Sequence, residues 1–113
     1  YLFTEENKKA HMKTLTSKGG PLGMSPDWTG IDKTVSTLPG DSIIWYTDGL
    51  VECTNPDGNE IGKKFLHKLG LKSRDLNSLE LKDMVVKKAY DFFDGEPIKD
   101  DITFLVGKFS QLN

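Results

Sequence analysis
With 113 residues, 36% of them hydrophobic, the chain can build one modest core and is too short for a second. Fifteen Lys and Arg against seventeen Asp and Glu leave a net charge of −2, which argues against an electrostatic grip on nucleic acid or an anionic membrane. The single Cys53 excludes an intrachain disulfide, and no apolar run approaches the roughly 20 residues of a membrane-spanning helix.

The first residue, Tyr1, already belongs to a strand-like run, with no signal-peptide pattern around it. The chain therefore reads as a piece of something longer, with a cytoplasmic setting as the expectation. Tyr1 to Phe3 and His11 to Leu15 flank a polar stretch and predict two strands joined by a charged turn. Ser17 to Gly23, rich in Gly and broken by Pro21, predicts a loop. Ile31 to Leu38 offers a further strand, and Pro39-Gly40-Asp41 a turn. Ser42 to Thr47 is β-branched and aromatic with little polar alternation, the pattern of a strand buried on both faces.

Asn55 to Asn59 predicts another turn. A calcium-loop register fails there, because Cys53 and Lys64 would stand at positions 1 and 12, where carboxylates are required. Glu60 to Leu69 places Ile61, Phe65, Leu66 and Leu69 on one helical face, with Gly70 as the stop. A second helix starts at Asn77, where Glu80 completes a capping-box pattern, and it ends around Asp94-Gly95. Ile102 to Phe109 closes the chain as a strand. Strands, then two helices, then a strand predict an α+β fold with helices packed on a mostly antiparallel sheet.

Asp48-Gly49 follows the most apolar strand, and Asp100-Asp101 precedes the last one. Taken alone, Asp-Gly between apolar runs reads as a hairpin turn, and an Asp pair before a strand as a solvated entry. Placed together they read differently: if the two strands are antiparallel neighbours, Asp48 and Asp100 lie on one rim of the sheet. Parallel strands would hold them roughly 17 Å apart, too far to share an ion. Converging carboxylates repel unless one is protonated or a hard divalent cation binds, and Mg²⁺ or Mn²⁺ suits such oxygens. Zinc is disfavoured, since Cys53, His11 and His67 are isolated from one another. Cys53 reads as a small packed hydrophobe and the two histidines as surface or flanking residues. Lys64, Lys68 and Lys72 stack at i,i+4 spacing in the basic segment 60–72, either as a solvated face or as a docking surface for an acidic or phosphorylated partner.

Pro21-Leu22-Gly23-Met24, the block Leu38 to Glu52 centred on Tyr46-Thr47-Asp48-Gly49, the stretch Asn55 to Gly62, and Asp100-Asp101-Ile102-Thr103 resemble the stage II sporulation protein E type of PPM (protein phosphatase 2C-like) serine phosphatases. The resemblance spans the chain from about Pro21 onward. It implies a layered α-β-β-α sandwich with two Mn²⁺ or Mg²⁺ ions between the sheets. Asp48 then matches the metal Asp of an Asp-Gly motif together with Gly49. Asp100 matches the metal Asp of the closing motif, with Asp101 in its variable second place. The implied activity is hydrolysis of phosphoserine or phosphothreonine by metal-activated water, without a covalent enzyme intermediate. The implied substrate is a bacterial signalling protein such as an anti-sigma factor antagonist, and the implied neighbour is an upstream sensor domain.

The family's upstream Asp-Gly segment has no counterpart here, so residues 1–113 are expected to form the C-terminal part of one phosphatase domain and to be inactive alone. Self-association through an uncovered sheet is a further expectation. The alternative is a non-catalytic, phosphatase-like module that binds a partner through the basic helix 60–72.

Overall fold
In the computed structural model, which describes residues 1–111, the chain begins with a hairpin formed by β1 (Leu2–Glu6) and β2 (Lys9–Lys13). Glu6 pairs with Lys9, so Asn7 and Lys8 alone make the turn, both at positive φ. Two such residues match the right-handed twist of the flanking strands. The expected charged turn is thus shorter, and the two strands longer or shifted, because the polar residues Thr4 to Glu6 join the ladder.

β3 (Ser42–Tyr46) pairs antiparallel with β1 on one side and with β4 (Phe104–Lys108) on the other, giving the order β2-β1-β3-β4. Three helices complete the α+β fold: α1 (Asp48–Glu52), α2 (Lys64–Gly70) and α3 (Ser78–Phe93). The core forms between the sheet and the helices, where Phe3 and Ile44 meet Leu50, Leu66, Leu81 and Val85. α3 contributes Leu81, Val85, Ala89 and Phe93, four residues apart along one buried stripe. Asn77 caps it through the expected capping box, its side chain accepting from Glu80 N–H while Glu80 accepts from the Asn77 N–H. Asp94, in the left-handed region, ends it.

A buried polar knot ties the α2–α3 connection to the sheet. Ser73 Oγ lies 3.0 Å from Ser42 Oγ, and Lys108 Nζ donates to the carbonyls of Ser73 and Arg74 at 2.6 and 2.7 Å. Burial, and then the nearby Arg74 guanidinium, push the Lys108 ammonium below its usual pKa.

Several expectations are corrected. Ile31 to Leu38 forms no strand, because every residue of it is exposed and, among the described residues, no strand lies beside it to complete its hydrogen bonds. The helix expected from Glu60 begins at Lys64, since Glu60 instead makes an isolated bridge with Thr54 across the Asn55–Asn59 turn. α2 ends at Gly70, so Lys72 stands beyond it. The closing strand is trimmed to Phe104–Lys108. β3 is buried only over Ser42–Ile44, while Trp45 is 54% exposed on the face away from the helices. His67 is half-buried, with Nε2 unpartnered, rather than a surface residue.

Candidate active site
β3 and β4 run antiparallel with Tyr46 opposite Phe104, which carries Asp48 and the Asp100–Ile102 segment to the same rim of the sheet. Thr47 fastens the two together. Its N–H donates to the Thr103 carbonyl at 2.9 Å, and its Oγ1 accepts from Thr103 N–H at 3.1 Å. The same hydroxyl has the carbonyls of Asp101 and Thr103 within 3.3 Å as acceptors for its proton. The sequence pattern alone gives Thr47 no part in the site. The one signal available is its place beside Asp48, at a strand end where Ser and Thr commonly bond to backbone.

Asp48-Gly49 does not make a hairpin turn. Thr47, extended, precedes the helix, Asp48 is the first residue of α1, and Leu50 N–H returns to the Thr47 carbonyl. A carboxylate in the first turn complements the helix dipole. Gly49 is buried against the crossing segment so closely that a Cβ there would collide with the Asp101 carbonyl oxygen. Its φ is ordinary, so the requirement for glycine here is one of space.

The backbone of the two Asp motifs is therefore in contact, while their side chains open onto different cavities. Asp48 is exposed and lines a cavity of about 290 Å³ together with Tyr1, Tyr46 and Lys63. Asp100 is exposed and lines a smaller pocket of about 140 Å³ with Gly49, Glu52, Cys53 and Lys99. Its Oδ1 accepts from the Asp101 N–H at 2.7 Å, which fixes one carboxylate oxygen against its own backbone. Asp101 joins Asp100 along an apolar groove between α3 and β4. Burial, the Tyr1 hydroxyl and the Asp48 charge together raise the Tyr46 phenol above its usual pKa, keeping it neutral beside Asp48. Cys53 is half-buried, donates to the Leu50 carbonyl at 3.2 Å, and burial pushes its thiol up, as a packed rather than reactive cysteine requires.

Exposed carboxylates at one rim are the hard oxygen donors that Mg²⁺ or Mn²⁺ prefers. Among the described residues, however, no three His, Cys, Asp or Glu side chains converge where an ion could sit. The donor chemistry fits a hard divalent cation and the number falls short of a closed shell. Lys64 and Lys68, on α2, and Lys72, just beyond its end, are elsewhere, in a groove shared with α3. Among the described residues no helix is long and apolar enough to cross a membrane.

Residues 2–110 match the family model described as Stage II sporulation protein E (SpoIIE). The chain is 27% identical over 99 residues to Protein IcfG of Synechocystis sp., a match covering 88% of this chain and 16% of that protein. Among solved structures it is similar to the phosphatase domain of the cell fate determinant SpoIIE from Bacillus subtilis, presoaked with Mn, with a TM-score of 0.54 and 18% identity. That match covers 99% of this chain and 47% of the solved one, so the chain spans less than half the length of either relative.

Proposed function
Because the chain belongs to the stage II sporulation protein E family, we propose that residues 1–113 form the C-terminal part of a single PPM-type phosphatase domain whose complete form is a metal-dependent protein-serine/threonine phosphatase. The observation that carries this reading is the antiparallel β3–β4 pairing, with the Thr47 latch and the Gly49–Asp101 contact holding both Asp motifs at one rim. In this reading Asp48 and Asp100 supply carboxylate oxygens to Mn²⁺ or Mg²⁺, with Gly49 and Asp101 as neighbouring backbone and side-chain donors. Two such ions, when bound, supply Lewis acidity and lower the pKa of water toward neutrality.

The chain's own residues do the positioning. Thr47 sets the spacing between the two motifs, and Gly49 allows the approach that a side chain would forbid. Lys63 beside Asp48 and Lys99 beside Asp100 place positive charge at the cavities where anionic phosphate oxygens would approach. Neither a nucleophilic serine nor a reactive thiol is needed, and Cys53, with its raised pKa, is unsuited to such a role. The substrate class is a phosphoserine or phosphothreonine protein of bacterial signalling, such as an anti-sigma factor antagonist, with an upstream sensor domain as the regulating neighbour.

The layered sandwich of the family also accounts for the bare face of the sheet. Trp45 and Leu105, cross-strand partners, are 54% and 64% exposed there, where a second sheet of the complete domain would lie. The test is Mn²⁺-dependent hydrolysis of an aryl phosphate by the 113-residue chain and, side by side, by a version extended upstream through a further Asp-Gly motif. Hydrolysis by the extended protein alone is expected. Folded but inactive proteins in both cases would overturn the proposal.

A further inference from the structure
α2 and α3 pack side by side and leave a groove of about 460 Å³ on their outer surface. Its floor is apolar: Phe65 and Leu69 from α2 and Met84 and Phe92 from α3, with Ile61 at the end. Phe65, Met84, Phe92 and Ile61 are only half-buried, so the groove keeps apolar surface in water. Its rim is basic. Lys64, Lys68 and Lys72 stand along one side and Lys88 along the other, all exposed.

Two further facts separate this arrangement from an ordinary solvated face. No Asp or Glu lines the groove, and none of the four lysines is in an ion pair among the described residues. The exposed Lys87 and Lys82, on the same helix α3, both have carboxylate partners. In a chain whose net charge is −2, four unpaired cations around one apolar trough form a local field of opposite sign to the whole.

From this we infer that the α2–α3 groove is a docking site for an acidic amphipathic helix of another protein. The occupant lays its apolar stripe on the floor and its carboxylates against the lysines, the helix-in-groove mode of recognition. α2, seven residues long, spans roughly 10 Å, so the contact takes two to three turns of the partner. An extended polyanion fits less well, because the floor offers apolar area to a ligand without an apolar face. The inference is independent of the phosphatase reading, since none of these residues lies at the Asp48–Asp100 rim.

The test uses a fluorescent peptide of about 15 residues, with Leu at i, i+3, i+4 and i+7 and Glu on the remaining face, and a scrambled peptide of equal composition. Anisotropy should show saturable binding of the amphipathic peptide, weakened by added salt, and little binding of the scrambled one. Reversing Lys64, Lys68, Lys72 and Lys88 to Glu should weaken binding about tenfold or more, since each exposed charge contributes a little and the reversal makes each repulsive. Reversing Lys8, Lys9, Lys18 and Lys33 changes the net charge equally away from the groove and should weaken it far less. Thermal melts of both variants establish that the fold persists, and Phe92→Ser, on the floor, should weaken binding while leaving its salt dependence in place. Equal loss in both charge-reversed variants, or equal binding of the scrambled peptide, would overturn the inference. So would binding confined to phosphatidylserine vesicles, or a dimer of the chain that excludes the peptide.

Discussion

At the scale of single residues the two Asp motifs of the candidate site are held together by Thr47 and Gly49. Thr47 bonds across to the backbone of residues 101 and 103, and Gly49 leaves room for the Asp101 carbonyl. Gly49→Ala puts a methyl group against backbone on a segment fixed by the Thr47 bonds, so the strain cannot be relieved by a rotamer change. The expected cost is about 1–3 kcal/mol in a denaturant titration. An unchanged midpoint would mean that the 100–102 segment yields freely and that the latch is weak. The Asp motifs could be read from the sequence as a pair because each abuts an apolar strand. The Thr47 latch could not, because its partners are backbone groups 54 and 56 residues away. Nor could the opening of Asp48 and Asp100 onto separate cavities, which depends on α1 turning the chain immediately after Thr47.

At the scale of elements, α3 was the most legible, since its boundaries are written in local chemistry: an Asn-to-Glu capping box at one end and Asp94-Gly95 in the left-handed region at the other. Asn77→Ala removes an acceptor for the Glu80 N–H and should cost about 1 kcal/mol in thermal or denaturant unfolding, with a smaller loss for Asn77→Ser. Equal stability of Asn77→Ala would show that the first turn of α3 is held by packing alone. The segment 31–38 shows the opposite case. Its β-branched residues satisfy a strand propensity, yet Ile31 and Leu38 are 55% and 54% exposed and no neighbouring strand shares their ladder. Propensity describes a residue's fit to a sheet that exists, and here the sheet is completed by β1 and β2 instead. For a similar reason the sequence pattern starts α2 four residues too early, because the Thr54–Glu60 bridge competes for Glu60.

At the scale of the whole molecule, one layer of helices covers one face of a four-stranded sheet. The apolar reading of β3 and the exposure of Trp45 conflict only if the sheet has a single partner layer. In the two-sheet sandwich proposed above, both faces of β3 have apolar neighbours. The 113-residue chain should therefore self-associate at high concentration through its bare face, and Trp45→Glu with Leu105→Glu should shift sedimentation toward monomer. A monodisperse monomer of the unaltered chain would contradict this. The α2–α3 groove lies on the other side of the helices from that face, so a docked partner and a second sheet do not compete.

The measurement that bears most directly on the central claim is Mn²⁺-dependent phosphate release by the upstream-extended protein, compared with its Asp48→Asn and Asp100→Asn variants under the same conditions. Asparagine keeps the shape of each side chain while removing the charge that a divalent cation needs. Melts of the three proteins serve as the control for folding. Loss of activity by about 100-fold or more in each folded variant is the predicted result, since losing a group that only supports a metal ligand already costs about 10–100-fold in metal affinity or activity. Equal turnover by all three would contradict the assignment of these carboxylates to a phosphatase site.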